Sequence, residues 1–374
     1  MFPFFNDRRI MMLKPLVAVA MSVIFGTFPV QALERPDVEF KIFQFPTNMI
    51  PRIDGNTEDW EMVPDDYVIG IDQLVDTRQD AAIDKSNFDV KVKVGWVKGL
   101  NRLYFIYEAY DNYWNIDDPG RHSELCEIVV DGDLSGGNLL ARNHPAGDLL
   151  TDLGKYFTYQ GVHAQNYHIY TPNKDKSFAL VWGCQPWITE FPWANSATSY
   201  DFKHGESGNL VQEFWITPFD YAPYDGPERA VASKLEENKI IGLSWSILEY
   251  DDKPLQGGRS EAAWTLSHNF DMIGNASSLC AFRLMPVEKS LRKPIEANWL
   301  FKIIDMDRRL VAFKDQSYGN ITSWKWDFGD STTSTEQNPI HQYEKPGTTY
   351  VVILEVEGPD GKAKFSRVWD VLIR

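Results

Sequence analysis

The segment Asp89-Val90-Lys91-Val92-Lys93-Val94-Gly95-Trp96 alternates without a break, and the alternation restarts at residues 102–110. Successive side chains of a strand leave opposite faces, so Val90, Val92, Val94 and Trp96 share one face, as do Leu103, Phe105, Tyr107 and Ala109. Lys98-Gly99-Leu100-Asn101 supplies the turn between them, and the whole reads as an antiparallel hairpin. A lone hairpin is not stable in water; its apolar side must lie against more strands. Further strand-like runs stand at 67–71, 127–130, 155–159, 167–170, 178–182, 210–216, 240–248 and 279–284. One helix is expected to start at Pro227, carry Ala230, Val231, Lys234 and Leu235 as its stripe, and end before Asn238. Many short strands with one helix predict an all-β chain whose residues 33–290 form a large β-sandwich.

The N-terminus constrains location. Arg8, Arg9 and Lys14 precede an apolar run at 16–25, and Val30-Gln31-Ala32 places small residues where a signal peptidase reads. This is the layout of a cleaved secretory signal over residues 1–32. The run falls short of the roughly 20 apolar residues a membrane helix needs, so no membrane span is expected after cleavage. The mature protein is expected to be secreted, periplasmic or at the cell surface. Losing three of 37 basic and one of 53 acidic residues takes the formal charge from −16 to −18. Nucleic acid is excluded as a partner, because phosphate contacts need a basic face. Cys126, Cys184 and Cys280 are odd in number, widely spaced and set in apolar runs. They read as buried free thiols, with one bridge and one leftover thiol as the alternative.

Residues 286–296 are charged and bracketed by Pro286 and Pro294, the composition of a linker; its core is placed at 291–296. The block beyond it, 297–374, contains Trp324-Lys325-Trp326-Asp327-Phe328-Gly329-Asp330, then Asn338-Pro339-Ile340-His341-Gln342-Tyr343, then Lys345-Pro346-Gly347. This block resembles the PKD (polycystic kidney disease) domain. Ser331 departs from the family, which usually has glycine there. The resemblance implies an immunoglobulin-like β-sandwich serving as an extracellular spacer or adhesion module. Trp326 is its expected core tryptophan, and Asp327 and Asp330 are expected to bond turn amides.

Near the start of the large module stands Ile53-Asp54-Gly55-Asn56-Thr57-Glu58-Asp59-Trp60, and Leu125-Cys126-Glu127-Ile128-Val129-Val130-Asp131 follows the hairpin. These segments resemble the family-nine carbohydrate-binding modules. The resemblance implies a β-sandwich that binds sugars without cleaving them, often with structural calcium. A pyranose has apolar C–H faces and a hydroxyl rim, which flat aromatic rings and polar side chains respectively satisfy. Trp114, Trp187 and Trp193 are the expected platforms, since Trp114 follows a strand end and prolines adjoin the other two. Tyr113 stands behind them, and Asn112 and His168 are expected on the polar rim. The alternative is that each tryptophan caps the core, as is expected of Trp60, Trp96, Trp182, Trp215 and Trp245. Four of the 13 tryptophans (Trp299, Trp324, Trp326, Trp369) fall in the PKD-like block.

Asp131, Asp133 and Ser135 place oxygens at alternate positions ahead of Gly136, like the first half of a calcium loop. The twelfth position is Arg142, so an EF-hand is excluded. Calcium would need further oxygens, from Asp111, Asp148 or Asp152; otherwise the segment is a turn. No organic cofactor is expected. His163 and His168 are five apart, on opposite faces of a strand, and no His-Glu-x-x-His occurs. Gly205-Glu206-Ser207-Gly208 misses a serine-hydrolase elbow. No catalytic residue is assigned.

The expected function is an exported, non-catalytic carbohydrate-binding protein with a PKD spacer, serving polysaccharide capture or degradation. Its partners would be a polysaccharide or oligosaccharide and other extracellular glycan-degrading proteins. Two alternatives stay open: an extracellular glycoside hydrolase or lyase, and a surface adhesion or structural protein.

Overall fold

The structure is a computed structural model that describes residues 33–116, 124–139, 149–172, 179–251, 262–292, 294–346 and 348–373. The expected signal segment and Asp148 lie outside them. In chain order the strands of the large module are β1 (Glu34–Phe45), β2 (Ile69–Gly70), β3 (Val75–Asp76), β4 (Phe88–Val97), β5 (Leu103–Asp111), β6 (Leu125–Asp131), β7 (Gln165–Tyr170), β8 (Ala179–Val181), β9 (Ala194–Tyr200), β10 (Gly208–Ile216), β11 (Phe219–Tyr221), β12 (Val231–Ala232), β13 (Ile240–Glu249), β14 (Ala262–Thr265) and β15 (Cys280–Leu284).

Strand β1 belongs to both layers. Its earlier residues pair in parallel with β15, and Phe43 to Phe45 pair in parallel with β4. One layer runs β8-β7-β6-β13-β15-β1, and the other β1-β4-β5-β10-β9. The β4–β5 hairpin has the predicted register and faces: Val90, Val92, Val94, Trp96, Leu103, Phe105, Tyr107 and Ala109 all lie in the core between the layers. Across that core Cys126, Ile128, Val130, Tyr167, Ile169, Ile241, Leu243 and Trp245 meet them. A second cluster on the outer side of β1 and β4 holds Phe43, Phe45, Trp60 and Tyr67. Gly95 is required there, because a Cβ would meet the Phe45 ring at 2.3 Å. The three cysteines are free and buried. Among the described residues no helix is long and apolar enough to cross a membrane.

Three expectations are corrected. The helix expected from Pro227 is a single 3-10 turn, Pro227–Arg229, followed by β12 paired with β11. Ser233 holds this segment extended: its N–H donates to Pro218 O and its hydroxyl to Asp220 Oδ1. The α-helix is instead α1 (Asp152–Tyr159), where a strand was expected at 155–159. Thr151 caps it, its Oγ1 accepting from Gly154 N, as a hydroxyl does at a helix start. The expected strand at 67–71 is two 3-10 turns around the short β2.

The segment read as a linker is fastened on both sides. Leu291 packs against the Phe43–Trp60–Tyr67 cluster, and Tyr67 donates to Glu288. Arg292 donates to Val287 O and pairs with Asp360 at 2.9 Å. Beyond it the strands are β16 (Trp299–Asp305), β17 (Leu310–Asp315), β18 (Ser323–Asp327), β19 (Thr333–Ser334), β20 (Ile340–Gln342), β21 (Thr348–Gly358) and β22 (Gly361–Ile373). They form sheets ordered β16-β17-β20 and β19-β18-β21-β22 around Trp299, Phe313, Trp326 and Tyr343.

Here the quoted motif is a packing device. Trp326 is buried and donates Nε1–H to Glu336 O. Asp327 and Asp330 accept from the turn amides of Gly329 and Thr332, as expected. His341 stacks flat on Phe328 at 4.1 Å and bonds Asp330 at 2.8 Å. Burial alone would raise the Asp330 carboxyl, but hydrogen bonds from Thr332 and His341 hold it below its ordinary value. Ser331 has φ +74°, a conformation that costs a residue with a Cβ about 1–2 kcal/mol. Ser331→Gly is therefore expected to stabilise this module by about 0.5–1 kcal/mol after glycine's entropy is counted. Thermal unfolding of the protein checks this; an unchanged or lower transition contradicts it.

Candidate functional site

The register of β10 sorts the sequence-predicted ligand residues into two groups. Gly208 lies opposite Asp111, and Ile216 lies opposite Leu103 and beside Ala194. Asn112, Tyr113 and Trp114 therefore stand at one end of the sandwich, and Trp187 and Trp193 at the other. At about 3.3 Å per residue the ends are some 26 Å apart. One sugar unit does not touch both groups.

Trp114 is not a platform. It is 0% exposed, stacks on Phe202 at 4.6 Å with planes 5° apart, and donates Nε1–H to Gly208 O. The chain after β5 folds back onto the core, which a reading of Trp114 as a loop residue missed. Tyr113 is half-buried, its ring edge-on to His204 at 5.9 Å. Asn112 is exposed and donates to Asn87 Oδ1.

At the other end the aromatics gather. Trp187 sits in a 3-10 turn, Pro186–Thr189, and Trp193 precedes β9. Both are half-buried and pack edge-on to Phe219 and to each other at 5.2–5.8 Å. The Trp187 Nε1–H bonds Pro223 O, which sets Tyr224 beside it. Tyr224, 50% exposed, meets Phe157 of α1 at 4.6 Å. Tyr156 donates to Gly183 O, tying the helix to the loop that carries Trp182. Trp182, expected in the core, is 37% exposed. Tyr156, Phe157, Trp182 and Tyr224 thus present open ring surface around the anchored Trp187. Sequence reasoning missed the helical pair. The signal for them was Thr151 as a cap, with Leu149, Leu153 and Phe157 recurring at helical spacing.

His168 lies beneath this surface, buried, edge-on to Trp182 at 5.9 Å. Its Nε2 and the Asn166 Nδ2 both bond Glu127 Oε1 at 2.9 Å. Asn166 and His168 share a face of β7, and with Glu127 of β6 they form a buried polar network.

The calcium expectation meets a turn at Asp131, Asp133 and Ser135. Both Asp131 oxygens accept backbone N–H groups, from Ser135 and Gly136, and Asp133 accepts from Ser135 as well. Burial pushes the Asp131 carboxyl up to about 7. Carboxylate oxygens converge elsewhere. One oxygen each from Asp111, Glu249 and Asp251 lies within 4.8 Å of the other two. Asp111 is fully buried, and among the described residues its Oδ2 has no hydrogen-bond partner. Burial, with the negative Glu249 and Asp251 adding to it, pushes the Asp111 carboxyl up to about 8 against the Tyr113 N–H bond. Calcium takes oxygens at 2.3–2.6 Å, so two ligands across one ion are about 4.8 Å apart. The donor chemistry, the spacing and the orphaned oxygen fit a hard divalent cation.

Comparison with known proteins concerns the two modules separately. A solved carbohydrate-binding module family 9 from Caldicellulosiruptor kristjanssonii, in complex with cellotriose, covers 69% of this chain and 98% of its own at 16% identity, with a TM-score of 0.42. The PKD1 domain of Vibrio anguillarum Epp covers 22% of this chain and 99% of its own at 26% identity, with a TM-score of 0.20. Collagenase ColQ1 from Bacillus cereus is 53% identical over 49 residues, which is 13% of this chain. Collagenase ColA from the same species is 52% identical over 44 residues, 12% of this chain. The chain spans about 5% and 4% of these two relatives. The PKD domain family model matches residues 308–371, and this part of the chain is a PKD domain.

Proposed function

We propose that the chain is an exported saccharide-binding protein. The large module lays exposed aromatic faces against sugar rings, and the PKD domain serves as an extracellular spacer. The observation that carries this is the ring surface of Tyr156, Phe157, Trp182 and Tyr224 around Trp187. Large exposed aromatic patches mark binding surfaces rather than ordinary exterior, and flat rings match pyranose C–H faces. The buried His168–Glu127–Asn166 network stiffens the strands beneath it. The similarity to a solved module in complex with cellotriose supports the choice of a β-linked glucan as first ligand. The secretory layout of residues 1–32 and the PKD domain support an extracellular site of action.

Retardation of the mature protein on polysaccharide gels tests this reading. Trp187→Ala and Tyr224→Ala are each expected to weaken binding by about tenfold or more, a loss of about 1.4 kcal/mol. Tyr224→Ala is expected to leave the thermal transition in place. Unchanged migration of the parent protein across a broad glycan panel overturns the reading.

A calcium ion belongs to the same proposal. Asp111, Glu249 and Asp251 would hold it, and it would supply the positive charge that the buried carboxylates lack. A chelator at pH 7.5 is then expected to lower the thermal transition of the large module, by about 2–3 kcal/mol of lost linkage where free calcium stands at a hundred times Kd. Asp111→Asn is expected to abolish that chelator effect. A transition indifferent to chelator counts against the ion.

A further inference from the structure

Between the two modules lies a cavity of about 530 Å³, with β1 and the loop after it on one wall and the PKD domain on the other. Ligand sites span roughly 300–1,000 Å³ and favour domain interfaces. Two of the residues that line this cavity each carry a buried acceptor with no hydrogen-bond partner among the described residues. Gln44 of β1 is 3% exposed and its Oε1 is orphaned. The Asp360 side chain, in the β21–β22 turn, is 9% exposed and its Oδ2 is orphaned. A buried acceptor left unpaired costs about 1–3 kcal/mol, and here one stands on each module.

The charges at the cavity are already matched. Lys98 pairs with Glu237 at 3.0 Å, and Arg292 pairs with Asp360 through its other oxygen at 2.9 Å. An ionic ligand gains little from neutralised pairs. What is unsatisfied is acceptor capacity, and what answers it is a hydroxyl donor. Apolar wall is supplied by Pro46, Pro286, Val287 and Pro359, which suits C–H faces. We propose that this junction is a second saccharide position, which takes a neutral polyhydroxylated ring and hydrogen-bonds it through Gln44 Oε1 and Asp360 Oδ2. The choice of a saccharide over other polyols rests on the reading of the large module given above; the site itself does not share its residues. An occupant held by both walls also fixes the modules relative to each other.

The test is hydrogen exchange of the full mature chain with cellobiose as probe, read separately at the junction (44–48, 319–320, 359–360) and at the aromatic surface (182–187, 223–224). With cellobiose at about ten times Kd, exchange at the junction is expected to slow by about tenfold, in the parent and in Tyr224→Ala alike. Thr47→Trp, on the exposed rim, fills the cavity and is expected to abolish the junction effect while sparing the aromatic surface. Gln44→Leu is expected to do the same and to raise the thermal transition, since an orphaned acceptor is gone. Absence of slowing at the junction, or slowing that survives both Thr47→Trp and Gln44→Leu, overturns the proposal and points to ordered water alone. Junction slowing without any effect at the aromatic surface supports the proposal and overturns the reading of that surface instead.

Discussion

Replacing Trp114 by alanine is expected to lower the stability of the large module by about 3–5 kcal/mol, the range for deleting a fully buried tryptophan side chain. The ring stacks on Phe202 and donates to Gly208 O, and the backbone on either side exchanges hydrogen bonds with residues 205 and 206. Alanine there opens a cavity, strands the Gly208 carbonyl and loosens the return of the chain after β5. The expected result is a large drop in the denaturation midpoint, with saccharide affinity unchanged in molecules that remain folded. Denaturant titration alongside affinity electrophoresis separates these. Lost affinity with an unshifted midpoint would make Trp114 a platform after all.

Glu213→Ala is expected to cost about 3 kcal/mol or more, because it leaves several buried donors unpaired at once. The carboxylate of Glu213 accepts from the indole of Trp60 at 2.8 Å and from the backbone N–H groups of Asp54 and Gly55 at 2.9 and 3.3 Å. Burial raises the Glu213 carboxyl even against these three donors, so they are what makes its charge tolerable inside. Gly55 must be glycine, with φ +79° and a Cβ position 3.2 Å from the Thr198 backbone. The Ile-Asp-Gly…Trp opening is thus a clasp closed on a residue some 155 positions later. Trp60→Phe alone removes one donor and is expected to cost about 1 kcal/mol beyond the lost ring area. Combined with Glu213→Ala it is expected to add less than the sum, because both break one network. Thermal denaturation of the two single variants and the double checks the coupling; simple additivity contradicts it.

These two residues show where the sequence was readable. Trp60 sat in a motif that marks core, and it is core. The β4–β5 hairpin was readable because one of its faces alternates with polar residues. Strand β6 was found but not its faces, since Leu125 to Asp131 are buried on both sides and leave no alternation. Helix α1 was misread because its four apolar or aromatic residues, Leu153, Tyr156, Phe157 and Tyr159, fit strand and helix equally in so short a run. Trp114 was misplaced because its partner, Phe202, is 88 residues away and nothing local announces the contact. The carboxylates of Asp111, Glu249 and Asp251 meet only once β5 and β13 are laid in opposite layers. By contrast the PKD motif reads true in detail, since each of its contacts falls within one compact segment.

The strand shared by both layers has a consequence for the order in which this chain can be assembled. Phe40 of β1 pairs with Phe282, and Gln44 with Trp96, so the first strand made is completed by nearly the last strand of its module. Until residue 284 is available β1 lacks one of its two neighbours, and the loop to be closed spans about 240 residues. Such long-range closure is slow and leaves an unpaired edge exposed meanwhile. If the chain is exported, as proposed above, and crosses unfolded, β1 closes only after residue 284 has crossed, and the unpaired edge is not exposed on the side where the chain is made.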